Sequence, residues 1–188
     1  MENTNNQGNS DGFQEWLKKN RAEILDWAKY IVAAILIAIL LSNFVIVNAN
    51  IPSESMVSTI MPGDRVIASR LHFAFGQPKR GDIVIFRYPD DEKVLFVKRL
   101  MGVPGDTLEI RDGILYINGA PQKEPYVRER MEGNFGPYTV PKGKYFMMGD
   151  NRNNSRDSRF WNNKFVARDK ILGKVIFEYY PKIKFFGF

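Results

Sequence analysis

No charged residue falls between Lys29 and Glu54, and within that interval Tyr30–Val47 reads YIVAAILIAILLSNFVIV. This run constrains the chain more than any other feature. A bilayer core about 30 Å thick is crossed by roughly 17–25 apolar residues in a helix, and the run meets that length. A buried helix of a soluble protein keeps a polar face, whereas this one shows almost none before Ser42-Asn43. A cleaved secretory signal has an apolar core of about 7–15 residues, shorter than this run, although Val47-Asn48-Ala49 faintly resembles a cleavage site. The pattern predicts a transmembrane helix over residues 30–47, with Trp27 and Tyr30 at the interface. Lys18, Lys19, Arg21 and Lys29 precede the run, and only Arg65 lies within about 20 residues after it. The positive-inside rule therefore predicts a single-pass protein of the cell membrane, with residues 1–29 cytoplasmic and 48–188 extracytoplasmic. Residues 1–12 are polar and expected to be disordered; residues 13–29 have a charged helical pattern carrying Trp16, Leu17, Ile24 and Trp27.

The whole chain, 188 residues at 44% hydrophobic composition, suffices for one cored domain with a small appendage. There is no cysteine, which excludes disulfides, thiol nucleophiles and Cys-based zinc sites. His72 is the single histidine, so a site needing two imidazoles is excluded as well. The net charge of +6 is scattered rather than gathered in a stripe with interleaved aromatics. It reads as a solvated basic surface and predicts no nucleic-acid partner.

The remainder is a series of short apolar runs punctuated by Gly, Pro and Asp: RVIAS, GDIVIFRY, KVLFVKRLMG, TLEI, ILYING, KYFMMGD and KVIFEYY. Asp112-Gly113 between alternating segments marks a hairpin, and Asn118-Gly119 marks another turn. No amphipathic helix is expected after residue 60. The fold class is mainly β, with coiled sheets and a small β excursion over about 105–142.

Two stretches carry chemistry. Asn50–Met56 (NIPSESM) places Ser53 and Ser55 two residues apart, beside Pro52, which fixes its own φ and restricts Ile51. In the strand Val94–Met101, period two puts Val94, Phe96, Lys98 and Leu100 on one face. A lysine in such a row is either an edge lysine with its ammonium in water or a desolvated amine with a lowered pKa, usable as a general base. Ser-Lys pairs replace Ser-His-Asp in some hydrolases, and a chain with one histidine suits that replacement.

Four blocks in order, IPSESM (51–56), RGDIVIF (80–86), VKRLMGVPGD (97–106) and GDNRNNSRDSRFW (149–161), resemble those of the type I signal peptidases. These are membrane-anchored Ser-Lys endopeptidases that cut signal peptides from exported preproteins, and the resemblance covers the anchor and almost all of residues 48–188. It implies Ser55 as nucleophile, Lys98 as general base, and Ser53 with the backbone N–H of Ser55 as the oxyanion hole. Ser155 would orient the base, Asp157 and Arg159 would form a supporting pair, and Asp150 and Arg152 would be structural. Ile51, Met56 and Val97 would line shallow pockets for small substrate side chains. The implied partners are signal peptides and the lipid bilayer, with no metal or other cofactor. Three positions depart from the family pattern: Ser58 replaces a proline, Asn153 an acidic residue and Arg156 a small one. The self-cleaving SOS-response repressors share the chemistry but need a DNA-binding region, which is not recognisable here. A catalytically dead binding protein on the same fold would be expected to lack Ser55 or Lys98. His72, the Leu71–Phe75 segment and the aromatic tail receive no role.

Overall fold

The computed structural model describes residues 7–187; the side chains of residues 7–14 and of Leu17 lie outside that description. The chain divides into two units, residues 1–43 and 44–188. The first is helix α1, Gln7–Leu40, followed by a π-helical turn, Leu41–Val45. Residues 7–12 are thus helical rather than disordered, while residues 1–6, also expected to be disordered, lie outside the described residues. Every side chain from Arg21 to Phe44 is exposed. Arg21–Val45 is long and apolar enough to cross a membrane, and Trp27 and Tyr30 pack edge-on at 6.5 Å. The helical segment stops two residues before the end of the apolar run, because Ile46 and Val47 begin a strand.

The second unit is built on antiparallel strands. The larger sheet contains β1 (Ile46–Asn50), β2 (Arg65–Ser69), β3 (Ile83–Tyr88) and β4 (Asp91–Gly102). The smaller contains β5 (Thr107–Arg111), β6 (Ile114–Ile117), β7 (Ala120–Pro121) and β8 (Phe135–Thr139). The chain then returns to the larger sheet with β9 (Lys144–Met148), β10 (Val166–Ala167), β11 (Ile171–Tyr180) and β12 (Lys184–Phe185). The larger sheet runs β1-β2-β11-β3-β4-β9-β10 with β12 on β11, and the smaller runs β7-β6-β5-β8. No α-helix follows residue 60 among the described residues. Residues 46–50, whose Asn-Ala-Asn sequence hides the strand, pair with β2 from Ile46↔Ser69 to Asn50↔Arg65.

The smaller sheet starts with a β5–β6 hairpin turned at Asp112 (φ 51) and Gly113 (φ 75). Both φ values are positive, as a two-residue primed turn requires. Its apolar side, Leu108, Ile110, Leu115 and Ile117, packs with Met101, Phe146 and Met148 from the larger sheet. A second core of Val84, Phe86, Leu100, Met147 and Trp161 lies beside β3, β4 and β9. A third, of Ile51, Met56, Ile60, Val66, Ile85 and Val175, sits under the segment that follows β1. The third and second cores set the two sides of the candidate site.

Candidate active site

After β1 the chain is extended at Ser53 (φ −120, ψ 157) and then enters a 3-10 turn, Glu54–Met56. This break brings the Ser53 and Ser55 hydroxyls to 3.2 Å; a continuous strand would separate them by about two residue rises of ~3.3 Å each. Met56 and Ile51, 1% and 3% exposed, anchor the segment in the core. Three bonds complete the turn: Thr59 N to Met56 O, Ile60 N to Met56 O, and Ile51 N to Asp64 O.

Lys98 comes from β4, opposite Val84 of β3. Pairing of β4 with β9 begins only at Arg99↔Met148, so Lys98 lies one residue outside that pairing. The lysine is 4% exposed, its Nζ donates a hydrogen bond to Ser55 Oγ, and the same nitrogen stands 5.2 Å from the Phe96 ring centroid. The water-exposed edge lysine is therefore excluded. Burial lowers its pKa to about 8, opposed by the negative charges of Asp157 and Asp150. Desolvation wins because no carboxylate pairs directly with the ammonium.

The Gly149–Trp161 segment holds the Ser55 turn from the other side. Asn151 N donates to Ser55 O at 3.1 Å, Asn151 Nδ2 to Glu54 O at 3.1 Å and Asn154 Nδ2 to Glu54 Oε2 at 2.9 Å. A side chain at position 149 would overlap the Ser55 carbonyl oxygen and the Ser155 hydroxyl, so only glycine lets the two segments approach. Asp157 and Arg159 form a buried two-point pair, both bonds at 2.8 Å, and Asp157 also accepts from Gly149 N at 3.0 Å. Arg159 reaches back to Arg152 O at 2.5 Å.

Ser155 is buried beside Gly149, but its hydroxyl makes no hydrogen bond. The expected bond from Ser155 to Lys98 is not formed; the lysine's nitrogen is given to Ser55. Asn153 bonds Arg130 O and Glu132 N at 3.0 Å each, which ties it to the 130–132 loop. Arg156 is exposed on the rim of the cavity.

Sequence reasoning gave no role to several residues that hold the site together. Arg99 pairs with Asp150 at 2.8 and 2.7 Å, and Asp150 also accepts from Thr59 Oγ1 at 2.5 Å. Glu124, from the smaller sheet's long connection, grips the buried Arg152 at 2.7 and 2.6 Å. Each contact joins residues far apart in sequence, and only the charge types hinted at partners. A cavity of about 560 Å³ runs along Asn48–Met56 and Val94–Lys98, with Ile85, Asn154 and Arg156 completing its walls. Ile51, Met56 and Val97 all line it, as do Ser53, Ser55 and Lys98.

The arrangement offers a nucleophilic hydroxyl, a buried amine in contact with it, a second hydroxyl alongside, and an apolar groove leading to them. The signal peptidase, peptidase S26, family model matches residues 24–180. Signal peptidase I T of Bacillus subtilis (strain 168) is 40% identical over 174 residues, covering 87% of this chain and 89% of that protein. A probable signal peptidase I-1 of Synechocystis sp. (strain ATCC 27184 / PCC 6803 / Kazusa) is 37% identical over 158 residues, covering 80% of each. A crystal structure of a signal peptidase I from Enterococcus faecalis V583 is 36% identical, with a TM-score of 0.47, covering 53% of this chain and 97% of that one.

Proposed function

This chain belongs to the signal peptidase family, peptidase S26, serine endopeptidases that remove signal peptides from preproteins, and from that premise we propose how its own residues share the work. Ser55 Oγ attacks the carbonyl carbon before the cut. Neutral Lys98 takes the hydroxyl proton; an amine with a pKa near 8 has a substantial neutral fraction close to physiological pH, which an ordinary lysine lacks. The oxyanion that forms is held by the Ser53 hydroxyl and the Ser55 N–H. As the tetrahedral intermediate collapses, the C–N bond breaks and the lysine returns its proton to the leaving amine. Lys98 then activates water, which hydrolyses the acyl-Ser55 ester and restores the serine.

The Asp157–Arg159 pair fixes the 149–161 loop that braces the Ser55 turn. Ile51, Met56 and Val97 shape the pockets, and an extended substrate backbone lies along Val94–Val97, the part of β4 that β9 leaves unpaired. Residues 30–45 hold the protein in the cell membrane, with 1–29 on the cytoplasmic side and 46–188 outside.

The observation that carries this reading is the contact between buried Lys98 Nζ and Ser55 Oγ. The test is cleavage of a preprotein by the detergent-solubilised full chain beside a Ser55→Ala control. Release of the mature protein is expected from the native chain alone. Cleavage persisting in the folded Ser55→Ala variant would remove Ser55 from the mechanism.

A further inference from the structure

The two faces of β4 lead to different surroundings. Side chains alternate along a strand, so Val97, opposite Ile85, packs against the third core with Ile51 and Met56. Phe96, opposite Phe86, packs against the second core with Tyr88 and Trp161. Tyr88 stacks on Phe96 with ring centroids 4.6 Å apart. Arg156 stands on the Phe96 face. Its carbonyl accepts from Trp161 Nε1 at 3.1 Å, and Trp161 is 1% exposed, so the backbone at 156 is pinned to the core. Burial and Asp90 raise the Tyr88 pKa, while the positive charge of Arg156 beside that hydroxyl opposes them.

Arg156 also lines the cavity of about 560 Å³, whose other charged walls are Glu54 and Lys98. Lys98 is committed to Ser55, and Glu54 accepts from Asn154 Nδ2 at 2.9 Å. The Asp90 carboxylate beside Tyr88 accepts from Tyr88 Oη, Asn162 N, Asn163 N and Asn163 Nδ2 at 2.8 to 3.0 Å. Among the described residues Arg156 has no ion pair. The local carboxylates are engaged elsewhere, which leaves an exposed cation on the cavity wall without a counter-charge. It is close to the chemistry as well. A Cβ at position 149 would overlap both the Ser155 hydroxyl and the Ser55 carbonyl oxygen, so residue 155 lies against the Ser55 turn and Arg156 is its neighbour.

A substrate strand lying along the free edge of β4 alternates in the same way, each side chain facing as its cross-strand neighbour does. When the side chain just before the cut enters the pockets of Ile51, Met56 and Val97, the one preceding it falls on the Phe96 face, toward Arg156. We propose that Arg156 is a specificity residue that favours preproteins with Asp or Glu as the second residue before the cut. The inference rests on the peptidase reading above. The pair would form at the exposed rim of the cavity, where salt screens it, so its worth is about two- to fivefold in affinity. The same contact is made in the bound substrate and in the transition state, so it should lower KM and leave kcat alone.

Peptides spanning a cleavage site, with Ala as the first and third residues before the cut, carry Glu, Gln or Lys as the second. Their binding to the full chain bearing Ser55→Ala, in nonionic detergent, is read by fluorescence anisotropy, so that no peptide is consumed. Their cleavage by the chain with Ser55 intact is read as kcat and KM. The Glu peptide should bind and be cut about two- to fivefold better than the Gln peptide, through KM, with the advantage shrinking at high salt. Arg156→Gln should bring that ratio to one, and Arg156→Glu should invert it and favour the Lys peptide. The proposal is overturned if the ratio is the same in Arg156→Glu as in the native chain. It is also overturned if the dependence on Arg156 is as large when the Glu is moved to the fourth residue after the cut, because the charge would then act without a subsite. Absence of cleavage with the binding preference intact would count against the peptidase reading and leave the charge preference standing.

Discussion

At the scale of single residues, Lys98 is kept buried at a cost in stability. Its pKa falls from 10.5 to about 8 on burial, and each tenfold change in acidity corresponds to about 1.4 kcal/mol. Between those pH values the unfolded lysine holds a proton that the folded one has released, so stability rises with pH across pH 8 to 10.5 and is flat below. Lys98→Met should therefore abolish most turnover yet raise stability at pH 7 by about 3 kcal/mol before packing losses. Thermal melts at pH 7 and above pH 10 check this, with the gain disappearing at the higher pH. In the native chain the acid limb of preprotein cleavage should follow the same titration, turnover rising as pH passes through about 8. Near-native turnover in folded Lys98→Met would exclude the lysine as base. Arg156→Ala should leave that limb in place, because Arg156 is exposed to solvent and screened. Ser155 supplies a different test: its hydroxyl is buried without a partner, an arrangement that stabilises nothing. Ser155→Ala should keep or raise the melting temperature and leave turnover close to native, because no bond to Lys98 is lost; a large loss of turnover would show that the hydroxyl turns to the lysine during the reaction. Ser55 and Lys98 were legible as types in a pattern. The empty hydroxyl of Ser155 was not, because hydrogen bonding depends on where Lys98 places its own donor.

At the scale of elements, the smaller sheet reaches into the site through one arm. Glu124 holds Arg152, whose side chain is fully buried, and Arg152 in turn anchors Gly149 O at 3.0 Å. Removing one partner of a buried pair strands the other charge, at about 3–5 kcal/mol. Glu124→Ala should thus lower stability by about that amount in chemical denaturation, far more than an exposed pair would, and a loss under 1 kcal/mol would show that the arm does not brace the loop. The hairpins of this sheet were readable because Asp-Gly and Asn-Gly tolerate positive φ. β1 was not readable. Its Asn48-Ala49-Asn50 sequence carries little strand propensity, and it forms because β2 lies beside it as a template, register by register.

For the whole molecule, two further outcomes bear on the proposal. A cysteine placed in residues 1–12 should resist a membrane-impermeant thiol reagent in intact cells, and one in 105–142 should react; the reverse would overturn the orientation drawn from the flanking charges. Pockets built from Ile51, Met56 and Val97 should favour Ala over Leu just before the cut, since a larger group costs about 1–3 kcal/mol in displaced packing. That is about fivefold to 150-fold in kcat/KM, and equal rates would exclude those pockets as the specificity filter. What the sequence determined by itself is what local composition dictates. An uncharged apolar run long enough for a bilayer gave the candidate span, alternating runs between turn residues gave a β domain, and two polar residue types in four ordered blocks gave the chemistry. The tertiary structure alone decided which reading of Lys98 holds, because desolvation is the summed effect of neighbours that sequence does not place together. Ser55 is 43 positions from Lys98, Arg99 is 51 positions from Asp150, and only the fold brings either pair together.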